Sequence, residues 1–208
     1  MAPNFRIKPV CHKYVVSFFK DKIHTTVTSD CATVERWIKE IERPNLFIVG
    51  FDIQYSPWVR LNDFVSTVQL CVGGRCLIYQ LEFIDYDFPD VLLDFLANEE
   101  YTFVGLDISH ALARLKREHA LDISRAMVVD YAYYDAGLRE LTELVLDKDL
   151  VNMPDNVMLR KWSLRRLTAG QVKHACVEAF VAFEIGRVLN AREYRLTPRD
   201  YHDYSDQS

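Results

Sequence analysis

Apolar and polar positions follow one another along this chain in patterns that predict strands first and helices later. Gly73-Gly74 separates two apolar runs and is typical of a two-residue hairpin turn. The segments with strand-like patterns are Tyr14–Phe19, Ile23–Thr28, Leu46–Gln54, Val65–Val72, Arg75–Gln80 and Thr102–Leu106, followed by an apolar run at Ala126–Asp130. The segments with helical spacing are Ala32–Ile41, Phe88–Leu96, roughly Ser109–Glu118, Gly137–Leu146 and Ala169–Leu189.

The order of these elements predicts an α/β fold. Early strands in a meander, joined by a turn at Asp21-Lys22 in the first pair, give way to alternating strands and helices, which favours a mixed sheet with helices on its faces. A chain of 208 residues suits one domain with one sizeable core. We expect a hairpin over 12–30, a core over 46–190 and a frayed tail over 197–208.

The strand Leu46–Gln54 carries the first candidate for chemistry. Side chains alternate along a strand, so Asp52 and Gln54 project from the same face. A buried carboxylate needs a cation or a hydrogen-bond donor beside it. Asp52 is therefore either part of a metal site or a hydrogen-bonded structural residue.

Composition limits the classes of function that fit the chain. The net charge of −5 argues against a general nucleic-acid coat protein, although it permits an enzyme with a local basic path. The chain shows neither a membrane-length apolar stretch nor a signal-peptide core, which predicts an intracellular protein, cytoplasmic or else nuclear. The five cysteines lack the paired spacing of zinc ligands.

Three motifs in order resemble the DnaQ-like (DEDD) superfamily of 3′-to-5′ exonucleases, specifically its Werner-syndrome-type branch. The first motif of that family, Asp-x-Glu on an apolar strand, corresponds to Asp52–Gln54, and the second begins at Phe103–Gly105. The third corresponds to Gln171–Ala179 and follows Trp162-Ser163 and Leu167-Thr168, as it does in the family. The resemblance implies the DnaQ-like (RNase H-like) fold, a mixed central sheet flanked by helices.

The chain departs from the family pattern at three of the four carboxylates that hold two divalent ions. Gln54 replaces the Glu of the first motif, and the second-motif Asp falls at Ala111. Glu178 replaces the last Asp, and His174 stands four residues before it, where the family has Tyr. Asp52 and Glu178 are thus the predicted ligands of Mg²⁺ or Mn²⁺, and Asp52, Gln54, His174 and Glu178 the predicted catalytic residues.

Several alternatives stay open for this reduced site. A single ion can bind Asp52 and Glu178, Asp107 or His110 can replace the missing ligand, or a neighbouring subunit can supply one. His174 either orients and deprotonates water or is a partly buried helix histidine. Gln54 either donates to the substrate or fills the space of the former Glu.

A basic segment precedes the last helix and predicts substrate binding. Arg160, Lys161, Arg165 and Arg166 surround Trp162, so they can follow a phosphate backbone while Trp162 stacks on a base. The alternative without a binding role is a solvated basic face around one buried Trp.

The resemblance leads to two hypotheses of function. A short domain with a reduced metal motif is similar to plant RISC-interacting clearing exoribonucleases. That similarity implies degradation of single-stranded RNA, association with an Argonaute protein and assembly into homohexamers. The alternative is a catalytically inactive domain that binds RNA or protein as a scaffold.

Overall fold

The structure is a computed structural model of the chain. It describes residues 9–42, 47–56, 64–84, 87–106, 108–128, 142–143, 145–148 and 161–190. The predictions for Asp107, Asp130, Arg160, most of the helix Gly137–Leu146 and the tail 197–208 lie outside these residues. None of the helices among the described residues is long and apolar enough to cross a membrane.

The strands of the described residues form one mixed sheet in the order β1-β2-β5-β4-β3-β6-β7. Their bounds are β1 Cys11–Phe18, β2 Asp21–Thr28, β3 Ile48–Ser56, β4 Phe64–Val72, β5 Arg75–Gln80, β6 Thr102–Gly105 and β7 Ala126–Val128. The β1–β2, β3–β4 and β4–β5 pairs are antiparallel, whereas β2–β5, β3–β6 and β6–β7 are parallel. The strand β3, which carries Asp52, therefore lies inside the sheet.

The described residues include four helices of at least eight residues, and three of them begin at recognisable signals. They are α1 Cys31–Ile41, α2 Asp90–Ala97, α3 Ile108–His119 and α4 Ala169–Val188. The Asp30 side chain accepts from the Thr33 backbone N–H and so caps α1, while α2 begins directly after Pro89. Thr168 and Gln171 form a capping box that fixes the start of α4.

The sheet separates two apolar clusters. One contains Val172, Ala175, Val177, Ala179 and Val181 of α4 together with buried residues of β1, β2 and β5. The other joins α1, α2 and α3 to the opposite face of β3 and β4. These helices on both faces confirm the predicted α/β architecture.

Most predicted element bounds agree with the structure to within two residues. The first turn is an exception, because Phe19 and Lys20 form it and Asp21 already pairs with Phe18. Phe19 adopts a positive φ of 49°, which a turn tolerates and a strand does not. Cys71 and Cys76 face each other across the β4–β5 hairpin, and both are free thiols.

Candidate active site

The strand β3 presents its polar side chains to α4. Asp52 and Gln54 lie on one face by the two-residue alternation of the strand, and both are directed towards Glu178 of α4. Gly50 permits this close approach, since a Cβ at that position would lie 1.9 Å from the carbonyl oxygen of Ala179. The glycine thus sets the distance between β3 and α4 near the site.

The side-chain amide of Gln54 joins the two carboxylates. Its Nε2 donates to Asp52 Oδ2 at 2.8 Å and to Glu178 Oε2 at 2.6 Å. Gln54 is only 8% exposed, so its amide replaces solvent between the two acidic groups. A shift in the β3–β4 register between Gln54 and Tyr55 marks a bulge, a feature that re-aims side chains and is common beside active sites.

His174 lies one helical turn before Glu178 and completes the cluster. Its Nε2 is 3.2 Å from Glu178 Oε2, and the His174 side chain is 5% exposed. Residues at this spacing share one face of a helix, so the capped start of α4 positions both side chains together. The structure therefore brings all four predicted catalytic residues into one place.

Burial makes the two carboxylates poor anions. It raises the pKa of the Asp52 carboxyl to about 6, although hydrogen bonds from Glu178 and Gln54 act in the opposite direction. Burial, and next the charge of Asp52, raises the pKa of Glu178 well above its ordinary value. Two such groups in contact favour either a shared proton or a cation between them.

The metal ligands predicted from the family pattern are only partly present. Among the residues that the structure describes, no group of three or more His, Cys, Asp or Glu side chains is placed to hold a metal ion. Ala111 is buried in the apolar cluster of α1, α2 and α3, and His110 is exposed with its ring 6.5 Å from that of Tyr55. The described residues do not fit a two-ion centre, but Asp52 and Glu178 converge closely enough to hold one ion.

The basic segment before α4 differs from its prediction at Trp162. Lys161, Arg165 and Arg166 are exposed, as phosphate-binding residues need to be. Trp162, however, is 1% exposed and packs against His174 with the ring centroids 6.2 Å apart. The proposed stacking of Trp162 on a base is therefore wrong, because the indole is part of the core beneath His174 and offers no open face.

Sequence reasoning overlooked a band of buried polar side chains beside the site. Gln69 is the cross-strand partner of Asp52, and Thr67 lies opposite both Gln54 and Gln80. Gln69 and Gln80 are at most 1% exposed, and Gln80 donates to the carbonyl of Leu164 in the basic segment. The polar residues at alternate positions of the apolar strand β4 are the signal that could have revealed this band.

Comparisons with known proteins identify the fold. No protein-family model matches the chain, and a search of curated proteins finds no match either. Among solved structures, the Aedes aegypti Nibbler EXO domain is 12% identical with a TM-score of 0.67, over 87% of this chain and 92% of that one. Escherichia coli RNase D, an exoribonuclease involved in structured RNA processing, is 13% identical with a TM-score of 0.68 over 80% of this chain.

A third similar structure contains a metal ion. Brucella melitensis NrnC with bound Mg²⁺ is 19% identical with a TM-score of 0.57, over 71% of this chain and 74% of that one. The chain matches 44% of the length of RNase D, so it corresponds to part of that enzyme. The seven-stranded mixed sheet, its flanking helices and these similarities show that the chain has the DnaQ-like (RNase H-like) exonuclease fold.

Proposed function

We propose that this protein is a metal-dependent 3′-to-5′ exoribonuclease that degrades single-stranded RNA. The observation that carries the proposal is the convergence of Asp52, Gln54, His174 and Glu178 from β3 and α4. Three of these supply groups that metal-dependent phosphodiester hydrolysis uses, namely two carboxylates for a divalent ion and a general base. The similar fold of RNase D, an exoribonuclease, supports RNA as the substrate.

Three residues of the cluster, Asp52, His174 and Glu178, have a role in this proposal. Asp52 and Glu178 hold one Mg²⁺ or Mn²⁺, as the Mg²⁺-bound fold relative supports. When bound, such an ion stabilises charge on the scissile phosphate and lowers the pKa of water. His174 accepts the proton of the attacking water, and its contact with Glu178 orients the imidazole.

The basic segment supplies the path for the substrate backbone. Lys161, Arg165 and Arg166 are exposed next to the start of α4, the helix that carries His174 and Glu178. Their charges bind phosphates and leave base identity unread, which suits an enzyme that removes nucleotides of any sequence. Trp162 supports this segment from the core.

The resemblance of the motifs also suggests a partner and an oligomeric state for this proposed enzyme. A member of the Werner-syndrome-type branch similar to the plant RISC-interacting clearing exoribonucleases would act in the cytoplasm with an Argonaute protein. It would assemble as a homohexamer, in which a neighbouring subunit supplies a ligand that replaces the one lost at Ala111. Sedimentation of the purified chain and co-purification with an Argonaute protein test these two points separately.

A catalytically inactive scaffold is the second candidate, and two specific observations favour it. Ala111 brings no ligand, and Gln54 brings a donor where the family has a carboxylate. Such a domain binds RNA or protein without cleaving it.

A degradation assay separates the two candidates. The substrate is 5′-labelled single-stranded RNA with Mg²⁺, Mn²⁺ or EDTA at constant salt, and the variants are Asp52→Asn and the matched control Asp122→Asn. Asp122 is exposed on the α3 side and pairs with Lys116. An exonuclease gives a metal-dependent ladder that Asp52→Asn reduces by roughly a hundredfold or more and Asp122→Asn leaves intact. Retention of the ladder in Asp52→Asn, or its absence from the wild type, contradicts the proposal.

A further inference from the structure

Gln54 occupies the space that an ion between Asp52 and Glu178 requires. A side-chain amide nitrogen carries two hydrogens, and those of Gln54 are shared between Asp52 Oδ2 and Glu178 Oε2 at 2.8 and 2.6 Å. Magnesium needs oxygen ligands at about 2.0–2.1 Å, and an N–H donor cannot serve as one. The amide nitrogen and a divalent ion therefore compete for the same two oxygens.

The surroundings hold Gln54 in this position. Gln54 is 8% exposed and faces Thr67 on β4, next to the register shift in the β3–β4 pair. On the α4 side, His174 Nε2 lies within 3.2 Å of the same Glu178 Oε2 that Gln54 contacts. The hydrogen bond to Asp52 goes to the carboxyl of the pair that ionises first, and a bond to an ionised group is stronger than one between neutral groups.

We propose that Gln54 forms an amide bridge that closes the Asp52–Glu178 pair in the cation-free protein and is displaced when a divalent ion binds. The bridge links β3 to α4 and makes metal binding conditional on a rotation of one side chain. This inference rests on the proposed function only for the class of competing ion, and it concerns metal binding instead of RNA cleavage.

The test measures the affinity for Mn²⁺ by calorimetry in three variants and the wild type. Gln54→Met keeps the length of the side chain but removes the donor, so we expect it to bind Mn²⁺ about fivefold or more tightly than the wild type does. Gln54→Glu removes the donor and adds an acceptor, so we expect a larger gain, on the order of tenfold to a hundredfold. Gln80→Met is the matched control, because Gln80 is also a buried glutamine but donates to the Leu164 carbonyl.

The sign of the Gln54→Met effect decides the matter. Tighter binding supports the bridge, whereas weaker binding means that the Gln54 carbonyl oxygen is itself a ligand. Unchanged binding, or no binding by any of the Gln54 variants, means that the amide does not compete with an ion. Weaker binding, unchanged binding and the absence of binding each overturn the proposal.

A measurement on the wild type covers the case in which Gln54→Met fails to fold. Proton–nitrogen NMR follows the side-chain amide signals during a titration with Mg²⁺, and the signal of Gln54 is identified by its absence from the spectrum of Gln54→Glu. The bridge predicts a large shift of this signal as Mg²⁺ saturates the site. A Gln54 signal that stays in place throughout the titration contradicts displacement.

Failure of this inference is distinguishable from failure of the proposed function. If Mn²⁺ binding follows the expected order but RNA stays intact, the bridge stands and the exoribonuclease proposal falls. If the wild type degrades RNA but Gln54→Met binds Mn²⁺ no more tightly, the exoribonuclease proposal stands and the bridge falls.

Discussion

The two faces of β3 differ in chemistry although they alternate residue by residue. Phe51 and Ile53 are 1% and 5% exposed in the apolar cluster beneath α1, α2 and α3. Asp52 lies between these two residues and Gln54 follows them, and both polar side chains are directed towards α4. One strand therefore contributes to the core on one side and to the candidate active site on the other.

The comparison shows how the fold accommodates an unfavourable site. Burial of a phenyl group on the apolar face stabilises the protein by about 1.5–3 kcal/mol. Burial of carboxylates on the α4 face costs free energy, and the hydrogen bonds from Gln54 offset only part of it. The apolar face of β3 therefore stabilises the strand that carries the energetically unfavourable polar site.

The largest expected effect is a loss of stability on the apolar face. Phe51→Ala removes a fully buried ring, so we expect the free energy of unfolding to fall by about 3–5 kcal/mol. Urea denaturation measures this value. In the metal-free protein at pH 7.5, Asp52→Asn, one residue away, should instead increase the free energy of unfolding. A loss below about 1 kcal/mol for Phe51→Ala would remove the basis of the comparison.

The next effect tests the contact that joins β3 to α4. The Cβ in Gly50→Ala would overlap the backbone of Ala179 and Phe183, which cannot move aside as a flexible side chain can. We expect a loss of about 1–3 kcal/mol or more in unfolding free energy and weaker Mn²⁺ binding, because α4 carries Glu178. In Gly74→Ala the nearest atom is Lys22 O at 3.4 Å, so this control should change stability by about 0.5 kcal/mol or less. Equal effects of the two substitutions would contradict the tight packing at Gly50.

A smaller effect concerns the pH dependence of stability on the α4 face. The pKa of Asp52 is raised to about 6 in the folded protein, so between about pH 4 and pH 6 the folded state binds more protons than the unfolded state. This site therefore stabilises the protein most at low pH, and its contribution falls by about 1–3 kcal/mol as the pH rises through this window. The raised pKa of Glu178 extends the fall to higher pH.

Urea denaturation in EDTA between pH 4 and pH 8 measures this dependence. Asp52→Asn should flatten the profile, because one of the two titrating groups is gone. Added Mn²⁺ should restore stability at pH 7.5, since it binds the ionised carboxylates of the folded state. A profile that is identical in the wild type and in Asp52→Asn would show that Asp52 does not titrate in this window.

The smallest effect concerns the basic segment. Replacement of Lys161, Arg165 and Arg166 by Ala should weaken binding of single-stranded RNA and lower the slope of log affinity against log salt by up to about 2. The matched control replaces Lys20, Lys22 and Lys39 by Ala. These lysines are exposed on other parts of the fold, and their replacement removes the same charge. Fluorescence anisotropy at several salt concentrations measures both slopes. If the two triple variants behave alike, net charge determines the affinity and the segment has no special role.

Most secondary structure was predictable because its causes are local. The alternation in β3, the turn at Gly73-Gly74, the cap at Asp30 and the capping box at Thr168 each depend on neighbours a few residues away. The i, i+4 spacing likewise placed His174 beside Glu178 before any tertiary contact was known. The first turn lies two residues before its predicted position. Asp21-Lys22 has the polar composition of a turn, whereas the positive φ falls on the apolar residue Phe19.

Tertiary structure alone decided the chemistry of the site. Asp52 and Glu178 are 126 positions apart in sequence, and only the packing of α4 on Gly50 places both within reach of one amide. Packing between distant segments also buries Trp162 against His174 and raises the carboxylate pKa values, since both follow from the exclusion of water. Local patterns thus determined which residues point to which face, whereas contacts between distant elements determined what those residues meet there.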